Sequence, residues 1–423
     1  MLEKRWEKTG ITAIDLLEMT RSYADQPGTC LLYSGGSFCT AQCSFLFLNP
    51  RQAIQLQGPF DRNPWDLLKE QIFFSSSELP EWVGFFSYEM GCFSDTEIKY
   101  PYHVSDVPDA YFQQAGTLLI YNHTTLILSC YSEYPFELSE KVFTPSVINY
   151  QPALGLETQE TYIAKIETAK ELIYNGEIYQ VNLSQQIIMK GEGHPFDIFC
   201  QTMKMNPAPF AAYIKHKDFT VVSTSPERFL SKKNEQLETR PIKGTAPRGK
   251  TAEEDRQNRE HLITSPKEMA ELLMITDLMR NDLGKVSLPG TVRTLDLGIL
   301  ETFSNVFHRH SWIVSRPKPL SSIDLIRSCF PGGSITGCPK IRAMQVIASI
   351  EKMPRGLYTG SIGYFCGTGD FDFNIAIRTM IFKNGTVTVR LGGGIVADSI
   401  PAKEYQETLY KGETMFKALS LKV

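Results

Sequence analysis

The sequence predicts an α+β fold, and three observations carry the prediction. Strand-like runs follow one another through turns instead of alternating regularly with helices, so no βαβ order is indicated. Helical segments stand apart, each with its own start and stop signals. The chain is long, 423 residues with 42% hydrophobic side chains. That is enough for one large unit with a doubled core, or for two or three ordinary domains.

The totals exclude several classes. Net charge is −4 with no long run of either sign, which gives no electrostatic support for nucleic-acid or anionic-membrane binding. No apolar stretch approaches the roughly 18 residues of a membrane span, and no secretory leader is evident. The nine cysteines stand singly without a C-x-x-C, the nearest being Cys30, Cys39 and Cys43. That pattern predicts reduced thiols in a soluble, cytoplasmic protein.

In chain order, residues 1–150 hold short aromatic strand-like runs: Leu31 to Gly36, Phe45 to Leu48, Trp82 to Met90 and Gly116 to Ser129. Residues 144–156, with two prolines and few charges, read as a linker into a second region, 151–423. From Thr158, apolar Ile163, Ile166, Ala169 and Ile173 predict a helix that Asn175-Gly176 stops. Tyr179 to Ile188 reads as a strand with Gln180, Asn182, Ser184 and Gln186 along one face, facing either solvent or the floor of a polar pocket. Ser265-Pro266-Lys267-Glu268 predicts a capping box, with a helix to about Asn281 that Gly284 closes. Ile375 to Lys383 and Thr386 to Leu391 flank Asn384-Gly385 and predict a type I′ hairpin. A last helix runs from Ala402 to about Leu419.

Several side chains in these segments invite chemistry. Lys243 lies in TRPIKGTAPRG (239–249), between Pro241 and Gly244 and downstream of Ser-Pro-Glu-Arg-Phe (225–229). It reads as a solvated loop lysine or, held near a carboxylate, as a nucleophile. Glu268 has a role as a helix cap, whereas Glu271 sits in an apolar run without one. Residues 330–340, FPGGSITGCPK, nearly match a phosphate loop but carry Cys338-Pro339 where Lys-Ser/Thr is required, so a nucleotide is not expected. The glycines permit close backbone approach, and the helix opened by Pro339 favours an anion at its start. Arg378, among apolar strand neighbours, calls for a counter-charge such as a substrate carboxylate. Gly392-Gly393-Gly394 permits a nest of backbone N–H groups. Glu404, Glu407 and Lys411 share one helix face. That face reads as solvated, or it pairs Glu407 with Glu271 around a hard dication.

Taken together the segments resemble the chorismate-utilising family. The strings that carry the likeness are GEIYQVNLSQ (176–185), STSPERF (223–229), RPIKGTAPRG (240–249), ELLMITDLMRNDLGKV (271–286), FPGGSITGCPKIRAM (330–344), GSIGY (360–364) and GGGIVADSIPAKEYQET (392–408). Before residue 150 the likeness rests mainly on CLLYSGG (30–36). The resemblance implies two large, mostly antiparallel sheets packed face to face with helices outside, the first 150 residues completing the core. It implies Mg²⁺ held by Glu271 and Glu407 with Glu268 and Glu404 nearby, and Glu227 as the general acid for the leaving hydroxyl, with a raised pKa. Thr245, Ser334, Tyr358, Arg378, Gly392, Gly393, Gly394 and Lys411 are implied to bind substrate. His308 is the implied active-site histidine, with His310 as the alternative. Leu32 and Ser34 mark a possible tryptophan pocket.

Two positions choose among family branches. Lys243 stands where the anthranilate and isochorismate branches resemble one another in carrying alanine, and Gln180 where isochorismate and salicylate synthases carry a lysine that activates water. Both imply the branch that aminates chorismate at ring carbon 4, in folate biosynthesis. Lysine would attack carbon 2 and ammonia would then displace it. No Gly-x-Cys-x-Gly elbow is found, so a separate glutamine amidotransferase subunit is expected to supply ammonia. No lyase segment follows Val423, so 4-amino-4-deoxychorismate is the expected product. The rival readings are an anthranilate-forming enzyme and a catalytically idle regulatory homologue.

Overall fold

A computed structural model describes residues 2–35, 38, 41–98, 101–139, 143–153, 157–302 and 306–421. Gly36, Cys39 and residues 154–156 of the expected linker lie outside the described residues. Among the described residues, twelve strands form one antiparallel sheet and ten a second. The first runs in the order Glu3–Thr9, Ile127–Ser132, Thr117–Asn122, Cys43–Leu48, Cys30–Tyr33, Phe210–Lys215, Thr220–Ser225, Thr379–Lys383, Thr386–Ile395, Gln180–Glu192, Gly337–Cys338, with Asn149–Pro152 also on Gln180–Glu192. The second runs Ile242–Pro247, Val306–Ser315, Gln236–Arg240, Arg228–Lys233, Phe371–Asn374, Ser361–Cys366, Pro80–Phe86, Ala110–Gln114, Gln52–Leu56, with Arg293–Thr302 also on Val306–Ser315. Strands from before and after residue 150 share both sheets.

The sheets pack face to face because each offers an apolar inner surface. Phe47, Leu118, Ile214 and Val221 of the first meet Val83, Phe85, Tyr111 and Ile362 of the second. The outer face of the first sheet carries helices through Leu16, Phe196, Phe199, Met415 and Phe416. That of the second carries them through Trp65, Leu68, Ile275, Met279 and Ile326. All seven residues of Pro80–Phe86 are buried, as expected of a strand covered on both faces. Each fully buried phenylalanine contributes roughly 1.5–3 kcal/mol of transfer free energy. No helix among the described residues is long and apolar enough to cross a membrane.

Local signals placed most elements. Thr158 caps the helix Gln159–Tyr174 and Asn175 ends it. Asn384 and Gly385 take φ of 50° and 70°, and Lys383 pairs with Thr386 across them. That is the left-handed pair a type I′ turn needs.

Tertiary structure overrode four expectations. Asn149–Pro152, inside the expected linker, pairs with Met189 to Glu192 as a strand. The helix begun at Pro266 runs on to Val286, straight through Gly284, because Leu283 and Val286 are buried on either side of it. Their burial outweighs the roughly 1 kcal/mol that a mid-helix glycine costs. The capping box is half formed: Ser265 Oγ accepts from the Glu268 N–H at 3.4 Å. The Ser265 N–H, which the glutamate would take, donates instead to His261 O at 3.0 Å. Ser265 therefore ends one helix as it starts the next, and the Glu268 carboxylate is released. Lastly, Ile375 to Lys383 is not one strand. Phe371–Asn374 belongs to the second sheet and Thr379–Lys383 to the first. The chain crosses between them through Arg378, whose φ is 51°.

Candidate active site

That crossing builds the site. Thr379–Lys383 pairs with the Thr386 strand only as far as Met380↔Val389. The Thr386 strand continues to Ile395, held on its other side by Val181 to Lys190. From Arg390 onward one edge is therefore open. Gly392–Gly394 lies in this strand, not in the turn-like nest expected from the sequence, because it pairs in register with Asn182 to Ser184. The glycines are there for space. A Cβ on Gly392 would sit 2.6 Å from Tyr358 Oη, and one on Gly394 would sit 2.8 Å from Gln180 Nε2 and 3.5 Å from Lys243 Nζ. On the opposite face, Gly393 would meet Lys411 Nζ at 3.5 Å and Glu404 Oε2 at 3.7 Å. Lys411 caps the open edge, donating to Gly392 O at 3.2 Å.

Lys243 is on a strand, not a solvated loop. Ile242 pairs with His310 and Thr245 with His308, and the register slips between them. This bulge takes Lys243 and Gly244 out of the ladder. Gly244 adopts φ of 85°, and a Cβ there would meet Glu268 Oε2 at 2.9 Å, which places the carboxylate released from capping against the bulge. Burial lowers the Lys243 pKa, opposed by Glu271, Glu227 and Glu407 and reinforced by Lys411. Among the described residues no carboxylate reaches ion-pair distance of its ammonium.

Glu227 sits just past Thr220–Ser225 and is 6% exposed. Burial raises its pKa, while Ser334, Lys243 and Arg378 counteract in part. Ser334 Oγ donates to Glu227 Oε1 at 2.6 Å, so this serine, expected to bind substrate, orients the glutamate. The loop bearing Ser334 is latched from behind: Lys340 Nζ bonds buried Asp282 at 2.5 Å and the carbonyls of Cys329 and Pro331. Arg378 is half-buried, its pKa lowered by burial and raised by Glu227. His308 is held neutral, its pKa lowered to about 3 by burial and then by Arg378 and His310. His310 lies farther along the strand, 3.7 Å from Glu301. Burial pushes the Tyr358 hydroxyl up to about 12.

Four glutamates approach from two helices: Glu271 and Glu407 act on Lys243, while Glu268 approaches Gly244 and Glu404 approaches Gly393. Burial raises the Glu271 pKa, with Lys243 opposing and Glu268 and Glu407 adding. Glu404 is raised by burial, with Glu407 adding to it. Burial also pushes on Glu407, but the Lys411 ammonium at 2.8 Å holds it below the usual range. Among the described residues, no three His, Cys, Asp or Glu side chains gather at metal-ligating spacing.

Sequence reasoning left open what the polar face of Gln180–Glu192 does; it is the floor of this site. Gln180, Asn182 and Ser184 are all buried. Among the described residues, Gln180 Oε1 and Nε2 and Asn182 Oδ1 have no hydrogen-bond partner, a state that costs about 1–3 kcal/mol per group. The network behind Tyr358 was missed altogether. Glu351 Oε1 takes Arg355 Nη2 at 2.7 Å and Ser184 Oγ at 3.0 Å, and Arg390 Nη1 reaches Ser184 Oγ at 3.0 Å. Arg355 also binds the carbonyls of Asn182 and Ile335. Only the polar alternation of residues 180–186 hinted at it.

The suggested tryptophan residues divide. Leu32 lines a cavity of about 510 Å³ together with Phe45, Arg228, Tyr364 and Asp372. Ser34 is spent on its own loop, its Oγ donating to Ala41 O at 2.7 Å and its N–H to Ser44 Oγ at 2.9 Å.

A fold of two packed antiparallel sheets, with this site at an open strand edge, matches a known class. The chorismate binding enzyme family matches residues 26–417, and the chain belongs to it. It is 42% identical over 265 residues to aminodeoxychorismate synthase component 1 of Bacillus subtilis, covering 62% of this chain and 56% of that protein. The chain thus spans about half the length of that relative. It is 36% identical over 353 residues to an anthranilate synthase component I-like protein of Synechocystis, covering 80% and 72%. The crystal structure of anthranilate synthase component I from Streptococcus pneumoniae superposes with a TM-score of 0.76 at 31% identity, covering 90% and 93%.

Proposed function

We propose that the chain converts chorismate and ammonia to 4-amino-4-deoxychorismate through a covalent adduct on Lys243. One observation carries this reading above the anthranilate alternative: an amine freed from its strand by a bulge, its pKa lowered by burial, faces the glycine-lined floor near Glu227. In the first step the neutral Lys243 amine bonds to ring carbon 2 and loses a proton. The carbon-4 hydroxyl leaves as water with the proton of neutral Glu227. In the second step ammonia bonds to carbon 4 and gives up a proton, the lysine–carbon bond breaks, and the lysine nitrogen takes up a proton to return as the neutral amine. Arg378, Tyr358, Lys411 and the open edge at Gly392 supply donors for the substrate's carboxylates, and His308 serves the site as a neutral group.

The glutamates suit Mg²⁺, which takes oxygen donors, few of them from protein. Carboxyls pushed up by burial and by one another are what a dication relieves. Glu271 and Glu407 would hold it, with Glu268 and Glu404 outside; when bound it supplies charge stabilisation at the substrate's ring carboxylate. The component 1 names of relatives favour a separate glutamine amidotransferase subunit as ammonia source, and the same reading places the reaction in cytoplasmic folate biosynthesis. The cavity at Leu32 is the proposed place for tryptophan, without Ser34.

The test is product identification with chorismate, Mg²⁺ and ammonium salt. 4-Amino-4-deoxychorismate is expected; anthranilate would establish the alternative, and unconsumed chorismate an idle homologue.

A further inference from the structure

Asn182 is directly opposite Gly394 across the strand pair, so their side-chain positions share one face. Gln180, two residues earlier, is on that face too. The space that Gly394 leaves has Gln180 Nε2 and Lys243 Nζ on its borders. The Asn182 backbone is fully engaged, its N–H on Thr336 O at 2.8 Å and its carbonyl on Arg355 Nη2 at 2.7 Å. Its side chain is not engaged: Oδ1 is buried without a donor, although an unpaired amide donor, Gln180 Nε2, stands on the same face. The two amides do not pair with each other, and two carbonyl oxygens are left unsatisfied on this face among the described residues. A ligand for that gap is small, donates more than one N–H or O–H, and keeps a lone pair. It is uncharged, because every unsatisfied group on this face belongs to a neutral amide, with no carboxylate to balance a cation.

We infer that Asn182, together with Gln180, binds the incoming nitrogen nucleophile, ammonia, by accepting its N–H bonds so that its lone pair stays free for the ring. The inference rests on the amination reading above and assigns to Asn182 the selection of the nucleophile. Asn182 and Gln180 grip ammonia from the floor strand while the substrate's carboxylates are held at the open edge, so the two ligands are bound by different side chains.

The experiment is steady-state kinetics of the chain with chorismate and Mg²⁺, varying ammonium chloride at fixed alkaline pH, for wild type, Asn182→Ala, Asn182→Ser and Asn182→Asp. The alanine variant is expected to raise the KM for ammonia about tenfold while moving that for chorismate less than about twofold. Aspartate keeps the acceptor oxygen, so its KM for ammonia is expected to stay within about threefold of wild type, while its charge on the face that Lys243 borders lowers kcat. Serine takes the place of alanine if the latter does not fold, with the same expectation. An ammonia KM that does not respond in alanine or serine, or both KMs rising together, overturns the inference and leaves the amination reading standing. A shift of product from the amine to the hydroxylated compound in wild type would also overturn it, since water would then be the occupant. A wild type that aminates nothing fails the underlying reading instead.

Discussion

Two ends of one strand face behave in opposite ways. At the Ser184–Arg390 end every charge is answered: Glu351 and Arg355 are each about 1% exposed in their side chains and meet at 2.7 Å, with Arg390 at 3.3 Å. Two residues away, at the Asn182–Gly394 end, amides are unpaired and the lysine has no acid at contact distance. Both ends are buried, so both incur the desolvation cost. The difference teaches that burial of polar groups alone does not mark a site; burial without partners does. The satisfied end is scaffold, fixing Tyr358 and the Ser334 loop through Arg355, which stacks 5.7 Å from the Tyr358 ring. The unsatisfied end is the one to which the inference above assigns the nucleophile.

The comparison can be broken in several ways. The largest effect belongs to Glu227→Gln, which removes the proton donor and is expected to lower kcat about 10²–10⁴-fold. The pH profile carries the sign. Lys243 must be neutral, so activity is lost as pH falls through its lowered pKa. Glu227 must be protonated, so activity is lost as pH rises through its raised pKa. Wild type is thus bell-shaped, and the glutamine variant lacks the alkaline fall; a retained alkaline fall assigns it to another group. At the scaffold end, Arg355→Met leaves Glu351 buried with a weakened partner set, and about 3–5 kcal/mol of stability should be lost in denaturant unfolding. A loss below 1 kcal/mol would show that the network is not what holds this end.

Gly394→Ala probes the gap itself. The added methyl is crowded by the end of the flexible Gln180 side chain at 2.8 Å and touches Lys243 Nζ at an ordinary 3.5 Å, so stability should change by less than about 1 kcal/mol while activity falls roughly tenfold. An equal loss of both would mean that the glycine is there for packing. The smallest effect is Gly284→Ala. It is exposed in the last turn of the helix with nothing within 4 Å of the new methyl, and a gain of about 0.5 kcal/mol is expected in unfolding experiments.

How far the sequence could be read follows from the range of the interactions. The helix that Asn175 stops, Asn384-Gly385 as a turn and the start of the helix at Ser265 are local, and each is where the sequence placed it. The partition into two sheets is not local: Cys30–Tyr33 pairs with Phe210–Lys215, nearly half the chain away. Arg378 seemed a regular strand residue because no nearby signal announces a crossing between sheets. The Glu268 capping role failed for a similar reason, since the preceding helix takes the N–H it needed. At the site, the charged residues were legible by type, whereas the contact of Ser334 with Glu227 and the orphaned amide of Asn182 are products of folding. Lys243 was legible as an unusual lysine, but the bulge that frees it was not.

The central claim is that Lys243 is a nucleophile, and intact-protein mass spectrometry tests it most directly. Wild type and Lys243→Ala are incubated with chorismate and Mg²⁺ without ammonia. The account predicts a chorismate-minus-water adduct on wild type alone, discharged when ammonium is added. An adduct on both proteins, or an aminated product from Lys243→Ala at the wild-type rate, would contradict it.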